Sequence, residues 1–115
     1  MSDRAVVKLA LGLDWQAGPF WLWRDEPLPE EFDSAEVTEV LELSESLIAE
    51  IIEWDSVYQA KWTLMMEDRP IFATEEDRLR FLAWGRVLAR RVRAECPPEV
   101  TVTYSGDGSL DELIP

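Results

Sequence analysis

Ten carboxylates, Glu30, Glu31, Asp33, Glu36, Glu39, Glu42, Glu45, Glu50, Glu53 and Asp55, occupy one stretch of this chain, and no Lys, Arg or His stands among them. Carboxylates at such density can exchange protons as a general acid and base, hold a hard cation, or attract a positively charged surface. The first two uses need particular groups to converge, and in a chain with 24 acids close pairs arise by chance. The stretch SGDGSLDE offers Asp107, Ser109, Asp111 and Glu112 without the regular oxygen spacing of a calcium loop, and reads as a turn. The third use needs only unbalanced charge. Glu36, Glu39 and Glu42 are like-charged i,i+3 neighbours, as are Glu42 and Glu45, and such pairs repel. A helix face built for solubility alone would mix signs and gain roughly 0.3 kcal/mol per pair. A solvated face and a surface suited to a basic partner both remain open at this point.

Other chemistry is poorly supplied. With no His and one Cys, zinc, haem and iron–sulfur sites lack ligands, and a Cys–His or Ser–His catalytic pair cannot be built. Cys96, between a helical segment and two prolines, reads as a small packed residue. The five Gly are scattered, so no phosphate-cradling loop exists. No catalytic residue, metal or cofactor is expected, and the chain does not read as an enzyme. Arg78, Arg80, Arg86, Arg90, Arg91 and Arg93 could meet phosphate, but the net charge of −13 repels nucleic acid and anionic lipid alike. Pairing with the chain's own acids explains them more simply. Trp21 and Trp23 alternate with Phe20 and Leu22, so the indoles are either covered or offered to a partner.

These residues need a scaffold. At 115 residues and 47% hydrophobic, with six Trp, the chain suits a single domain over residues 1–115 with a packed core. Its apolar runs are too short to span a membrane. The segment MSDRAVVKLALGLDW carries Lys8 inside its apolar part and lacks a small-residue cleavage site, so it reads as a strand rather than a signal peptide. A lone cysteine forms no internal disulfide, which suits the cytoplasm. Nine Arg against two Lys, with no Asn or His, hints at a GC-rich bacterial genome.

Periodicity places the elements. Leu9, Leu11 and Leu13 alternate with Lys8, Ala10 and Gly12 in a strand near 5–13, and FWLW continues in a strand near 20–24, the two joined as an antiparallel hairpin. DEPLPEEFD reads as a loop. Ser34 sits as an N-cap for a helix near 35–66, with Val37, Leu41, Leu47, Ile48, Ile51 and Ile52 on its apolar side and Glu39, Glu42, Glu50 and Glu53 on the opposite side. A break near Asp55–Ser56 is allowed by their competition for local hydrogen bonds. Thr74 and Asp77 resemble a capping box for a second helix near 75–95, which buries Phe81, Trp84, Gly85, Leu88 and Val92. Gly85 in that interior predicts close packing against another element, since it lowers helix stability by about 1 kcal/mol relative to Ala. EVTVTY gives a strand near 99–104, and 105–115 is a turn and tail. The order ββααβ predicts an α+β fold, a small antiparallel sheet of about three strands packed against two helices.

The segment EEDRLRFLAWGRVLARRVRAECPPEVTVTY, with Phe81, Gly85, Arg86, Leu88, Ala89 and Arg91, resembles the ending of many small acidic bacterial proteins of high-GC, actinobacterial type. The stretch IIEWDSVYQAKW, with its Trp-Asp-x-x-Tyr-Gln pattern, is similar to theirs as well. Relatives of this kind occur as immunity proteins beside toxins. The resemblance covers about half the chain, carries no catalytic motif and assigns no functional residue. Joined to the acidity, it implies an immunity or antitoxin-like inhibitor that covers the positive cleft of a basic effector, such as a nuclease or nucleotide-modifying toxin. Glu39, Glu42, Glu50 and Glu53, with loop acids Asp25, Glu26, Glu30 and Glu31, would supply the charge, and Trp21 and Trp23 the apolar anchors. The expected partner is a basic protein, with no nucleic acid and no membrane. A phage-type nucleic-acid mimic, a small ligand-binding domain, and a homodimer built on the Trp strand are the alternatives.

Overall fold

The computed structural model describes residues 5–115; residues 1–4, which belong to the domain range 1–115 and to the segment read as lacking a signal peptide, lie outside the described residues. Strands β1 (Lys8–Gly12) and β2 (Phe20–Trp23) form the expected hairpin, with Leu9 opposite Leu22 and Leu11 opposite Phe20. Their alternation sends Leu9, Leu11, Phe20 and Leu22 into the core, where all four are fully buried. Strand β4 (Thr101–Gly106) adds Val102 and Tyr104 to the same layer.

The sheet departs from the expectation in three ways. It has five strands among the described residues, with β3 (Glu30–Phe32) and β5 (Glu112–Ile114) added at its edges, in the order β3-β2-β1-β4-β5. The central pair β1·β4 is parallel, so the sheet is mixed rather than antiparallel. Parallel neighbours need a long crossover, and here it holds every helix among the described residues, which a reading based on adjacent hairpins does not anticipate. The two added strands are short edges. β3 (Glu30–Phe32) lies in the segment that Pro27 and Pro29 mark as a loop; two of its three residues are acidic, and charge on a short edge strand is what keeps such an edge from pairing further. β5 (Glu112–Ile114) lies within the supposed tail and is held by the pairing of Ile114 with Val102.

The long first helix is also corrected. Residues 35–66 divide into a 3₁₀ turn (Glu36–Glu39), helix α1 (Glu45–Gln59) and helix α2 (Trp62–Met66). Ser34 is buried and does not cap; the Asp33 carboxylate accepts the N–H groups of Ala35 and Glu36, while Glu36 Oε1 accepts the N–H of Asp33, a reciprocal cap one residue earlier. Leu41 and Leu43 are both buried around exposed Glu42, an i,i+2 spacing that no helix face can satisfy. The helix therefore restarts at Ser44, whose Oγ accepts the N–H of Leu47 and whose own N–H and Oγ donate to Glu95 at 2.6 and 2.9 Å. The second interruption falls at Ala60–Lys61, not at Asp55–Ser56.

Helix α3 (Glu75–Glu95) matches its expected range, with Thr74 Oγ1 accepting the N–H of Asp77 at 3.0 Å. It packs antiparallel to α1, and both lie over the buried face of the sheet through Trp54, Phe81 and Tyr104, whose rings approach one another. Gly85 explains itself here. A methyl group at that position would stand 2.6 Å from Trp54 Cε2 and nearer still to Trp54 Cζ2 and the Tyr104 hydroxyl. Its absence lets Trp54 Nε1–H reach the carbonyl of Phe81 (3.2 Å) and the Tyr104 hydroxyl reach that of Leu82 (2.7 Å).

The Trp-Asp-x-x-Tyr-Gln stretch has an equally architectural use. Trp54 fills the Gly85 notch, Tyr58 stacks on Trp15 (4.2 Å between ring centres), and Gln59 clamps the β1–β2 loop. Its Nε2 donates to the Asp14 carbonyl (2.8 Å) and to Asp55 (3.1 Å), and its Oε1 accepts the N–H of Gln16 (3.0 Å), whose φ of 59° is left-handed.

Candidate functional site

The acids singled out from sequence do not share one helix. Glu50 and Glu53 lie on α1, whose core side is Leu47, Ile51, Trp54 and Tyr58. Helical spacing puts Ser46, Glu50, Glu53 and Val57 on the flank toward α3, as Arg91 shows by reaching Glu50 (3.4 Å) and Ser46 (3.3 Å). Glu39 ends the 3₁₀ turn, and Glu42 lies in the irregular link that borders Glu95 and Pro97. Among the described residues Glu39, Glu42 and Glu53 have no ion-pair partner, whereas Glu50 has Arg91. The single acidic ridge is thus replaced by two patches, one on the link and one along the helix pair.

The arginines that surround α3 are largely consumed inside the molecule. Arg86 makes a bidentate pair with Glu112 of β5 (2.7 and 2.8 Å). Arg78 holds Asp107 (3.1 Å), Ser109 (2.8 Å) and Glu75 (3.1 Å). Arg80 pairs with Glu76 and Asp77 in its own helix, and Arg93 donates to the carbonyls of Val100 and Pro97. Hydrogen bonds from Arg86 hold the Glu112 carboxyl below its ordinary value. Burial opposes ionisation of Asp107, but the hydrogen bonds from Ser109 and Arg78 outweigh it and leave that carboxyl lowered too. These pairs stitch the turn after β4 and strand β5 onto α3. Burial pushes the Tyr104 phenol far above its usual range and also raises the Cys96 thiol, which is enclosed rather than presented.

Trp21 and Trp23 point to the sheet face that no helix covers. They are half-buried, while Phe20 and Leu22 between them are fully enclosed. Trp21 is fixed in place: its Nε1–H donates to the Gly12 carbonyl at 3.0 Å. The Lys8 ammonium stands 4.5 Å from the centre of the Trp23 ring, a cation–π arrangement within the chain. Between these side chains and those of Thr103 and Ser105 lies a groove of ≈ 530 Å³, bordered by Asp14 and Asp111. Glu31 pairs directly across from Trp21 and accepts the N–H of Gly18 (2.9 Å). Glu30 turns to the other face and pairs with Arg24 (2.9 Å). Asp25 and Glu26 are exposed in the β2–β3 loop, and each already engages a neighbour.

The structure therefore brings Trp21, Trp23 and Glu31 together on the open sheet face and places Glu50 and Glu53 in the helix layer behind it. A third half-buried indole, Trp84, lies on α3. With Val57, Lys61, Phe72 and Arg80, Trp84 lines a groove of ≈ 410 Å³ between α1 and the start of α3, and Val87, 50% exposed, follows it one turn later. Periodicity places Trp84 in the core with Phe81 and Leu88, but its ring is only partly buried. Its position i+3 from Phe81 and i−4 from Leu88, at the edge of the buried stripe, is the signal that separates a half-exposed ring from an enclosed one.

Among the described residues no three His, Cys, Asp or Glu side chains are grouped so as to hold a metal ion, and no helix is long and apolar enough to cross a membrane. A family model described as Serratia CdiI immunity protein-like matches residues 7–107. No curated protein matches the chain.

Proposed function

From its membership of the Serratia CdiI immunity protein-like family, to which the chain belongs, we propose that this protein protects a cell by binding a toxin in a stoichiometric complex, without turnover. We place its action in the cytoplasm and its partner among basic effectors, such as a nuclease or a nucleotide-modifying enzyme. The observation that carries the charge assignment is the imbalance left after internal pairing. The arginines of α3 are spent mainly on the first turn of α3, the β4–β5 turn and β5, while Glu39, Glu42 and Glu53 keep no ion-pair partner among the described residues. A net charge of −13 makes that surface part of a strong negative field. Such a field accelerates encounter with a cationic cleft and raises the energy of complexes with acidic surfaces.

In this reading Glu39, Glu42, Glu50 and Glu53, with the loop acids Asp25, Glu26, Glu30 and Glu31, form the electrostatic surface that the toxin covers. The test is co-expression with the toxin encoded by the neighbouring gene, coupled to binding kinetics across a range of salt. The triple variant Glu39→Lys, Glu42→Lys, Glu53→Lys changes only acids that lack an internal ion pair, so it should fold. It is expected to slow association by about tenfold or more at low salt and to abolish protection. A variant with native circular dichroism that still protects fully overturns the acidic-surface mechanism.

A further inference from the structure

The open face of the sheet has an organisation that the acidic surface does not explain. An uncovered face of a mixed sheet normally carries small polar side chains toward water, yet here two indoles and Lys8 occupy its centre. Trp23 already carries a cation, the Lys8 ammonium. Trp21 is its neighbour on the same face, held rigidly by the Gly12 carbonyl and half-exposed, with no cation of this chain placed over it among the described residues. Carboxylates surround that position: Glu31 directly across the strand pair, and Asp14 and Asp111 at the rim of the groove. Asp107 also borders the groove but is engaged by Arg78. Glu31 and Asp14 each accept a backbone N–H, from Gly18 and Trp15, but neither they nor Asp111 hold a cation among the described residues. A fixed indole among such carboxylates matches the requirements of a guanidinium or ammonium group, which gains from the ring quadrupole and from the charges together.

Charge decides between occupants. A second copy of this chain would bring two acidic rims into apposition, and like charges across an interface are unfavourable. Nucleic acid is repelled by the whole molecule. We propose that this groove seats an extended cationic segment of the toxin, with an Arg or Lys side chain laid on the indole of Trp21. The proposal rests on the immunity reading for the source of the segment, while the chemistry of the seat stands by itself. The toxin would then be gripped at two places, by charge along the helix layer and by a cation–aromatic anchor on the opposite side of the sheet.

The seat is tested by nuclear magnetic resonance titration of the full chain with acetyl-Gly-Arg-Gly-amide, using the citrulline analogue as the uncharged control. Of the six indole N–H signals, that of Trp21 should move selectively and saturably with the arginine peptide, together with the amides of Ala10 and Thr103. Trp21→Ala should remove the response. Asp14→Asn with Asp111→Asn leaves the ring and every buried contact intact and should weaken it several-fold, which keeps the test decisive if Trp21→Ala folds poorly. Shifts that spread over the acids of α1, or that the citrulline peptide reproduces, overturn the proposal. Against the neighbouring gene's toxin, Trp21→Ala should weaken binding by about tenfold or more. Full affinity in that variant, beside loss of binding in the Glu39, Glu42, Glu53 variant, removes the anchor and leaves the immunity reading standing. A titration that succeeds with a toxin that binds no form of the protein removes the immunity reading and leaves the cation seat.

Discussion

Replacing Gly85 by Ala adds one methyl group, and the surrounding geometry gives the change a definite sign. On helix propensity alone the substitution should stabilise the protein by about 1 kcal/mol. The new Cβ would, however, stand 2.6 Å from Trp54 Cε2 and closer to Trp54 Cζ2 and the Tyr104 hydroxyl, all on buried, well-packed side chains. Overpacking of this kind destabilises by about 1–3 kcal/mol. If either ring retreats it also loses its hydrogen bond, Trp54 Nε1–H to the Phe81 carbonyl or the Tyr104 hydroxyl to that of Leu82. A buried donor left without an acceptor adds about 1–3 kcal/mol. The net expectation is a loss of about 3 kcal/mol, which for a chain of this size lowers Tm by about 12 °C. Thermal melts followed by circular dichroism measure it, with near-ultraviolet signals reporting the two rings. Ala83→Gly, exposed on the same helix, supplies the propensity term alone and should lose about 1 kcal/mol. A Gly85→Ala protein that melts at or above the wild-type temperature would refute the notch as the reason for this glycine.

Two further outcomes follow from the same packing. Gln59→Ala removes the bonds to the Asp14 carbonyl and the Gln16 N–H, so it should lower stability by about 1 kcal/mol and speed hydrogen exchange at Gln16, while an unchanged exchange rate there would show that the loop does not need its clamp. Glu112→Gln weakens the bidentate pair with Arg86; because the folded-state carboxyl sits below its ordinary value of 4.5, its stabilising share is fully present above that pH and disappears as acid titrates the folded form. The variant should therefore melt lower than wild type near neutrality, by the equivalent of about 1 kcal/mol, and the gap should close as pH falls below 4.5, whereas a gap independent of pH would contradict the ion pair as its source.

Sequence by itself settled what depends on near neighbours. The alternation Leu9, Leu11 and Phe20, Leu22, the Thr74 cap with its acidic first turn, and the apolar stripe Phe81, Leu88, Val92 are local periodicities, and β1, β2, β4 and α3 follow them closely. The large net negative charge, and the shortage of ligands and nucleophiles, are likewise properties of composition. The boundary at Ser44 is missed by periodicity, which carries one helix over 35–66; it follows from the burial of both Leu41 and Leu43 around Glu42, which only the fold shows. Tertiary structure alone decided the parallel β1·β4 pairing, the edge strands β3 and β5, and the division of the acids between the two layers. It also decided that Arg86 meets Glu112 and Arg91 meets Glu50, leaving Glu39, Glu42 and Glu53 without an ion pair among the described residues, and that Trp21 faces outward from the sheet while Trp84 lines a groove with Val57 and Phe72. Periodicity states which side of an element is apolar. It carries no information about which distant strand or side chain will satisfy a given hydrogen bond or charge, because those partners are chosen by the collective burial of the core.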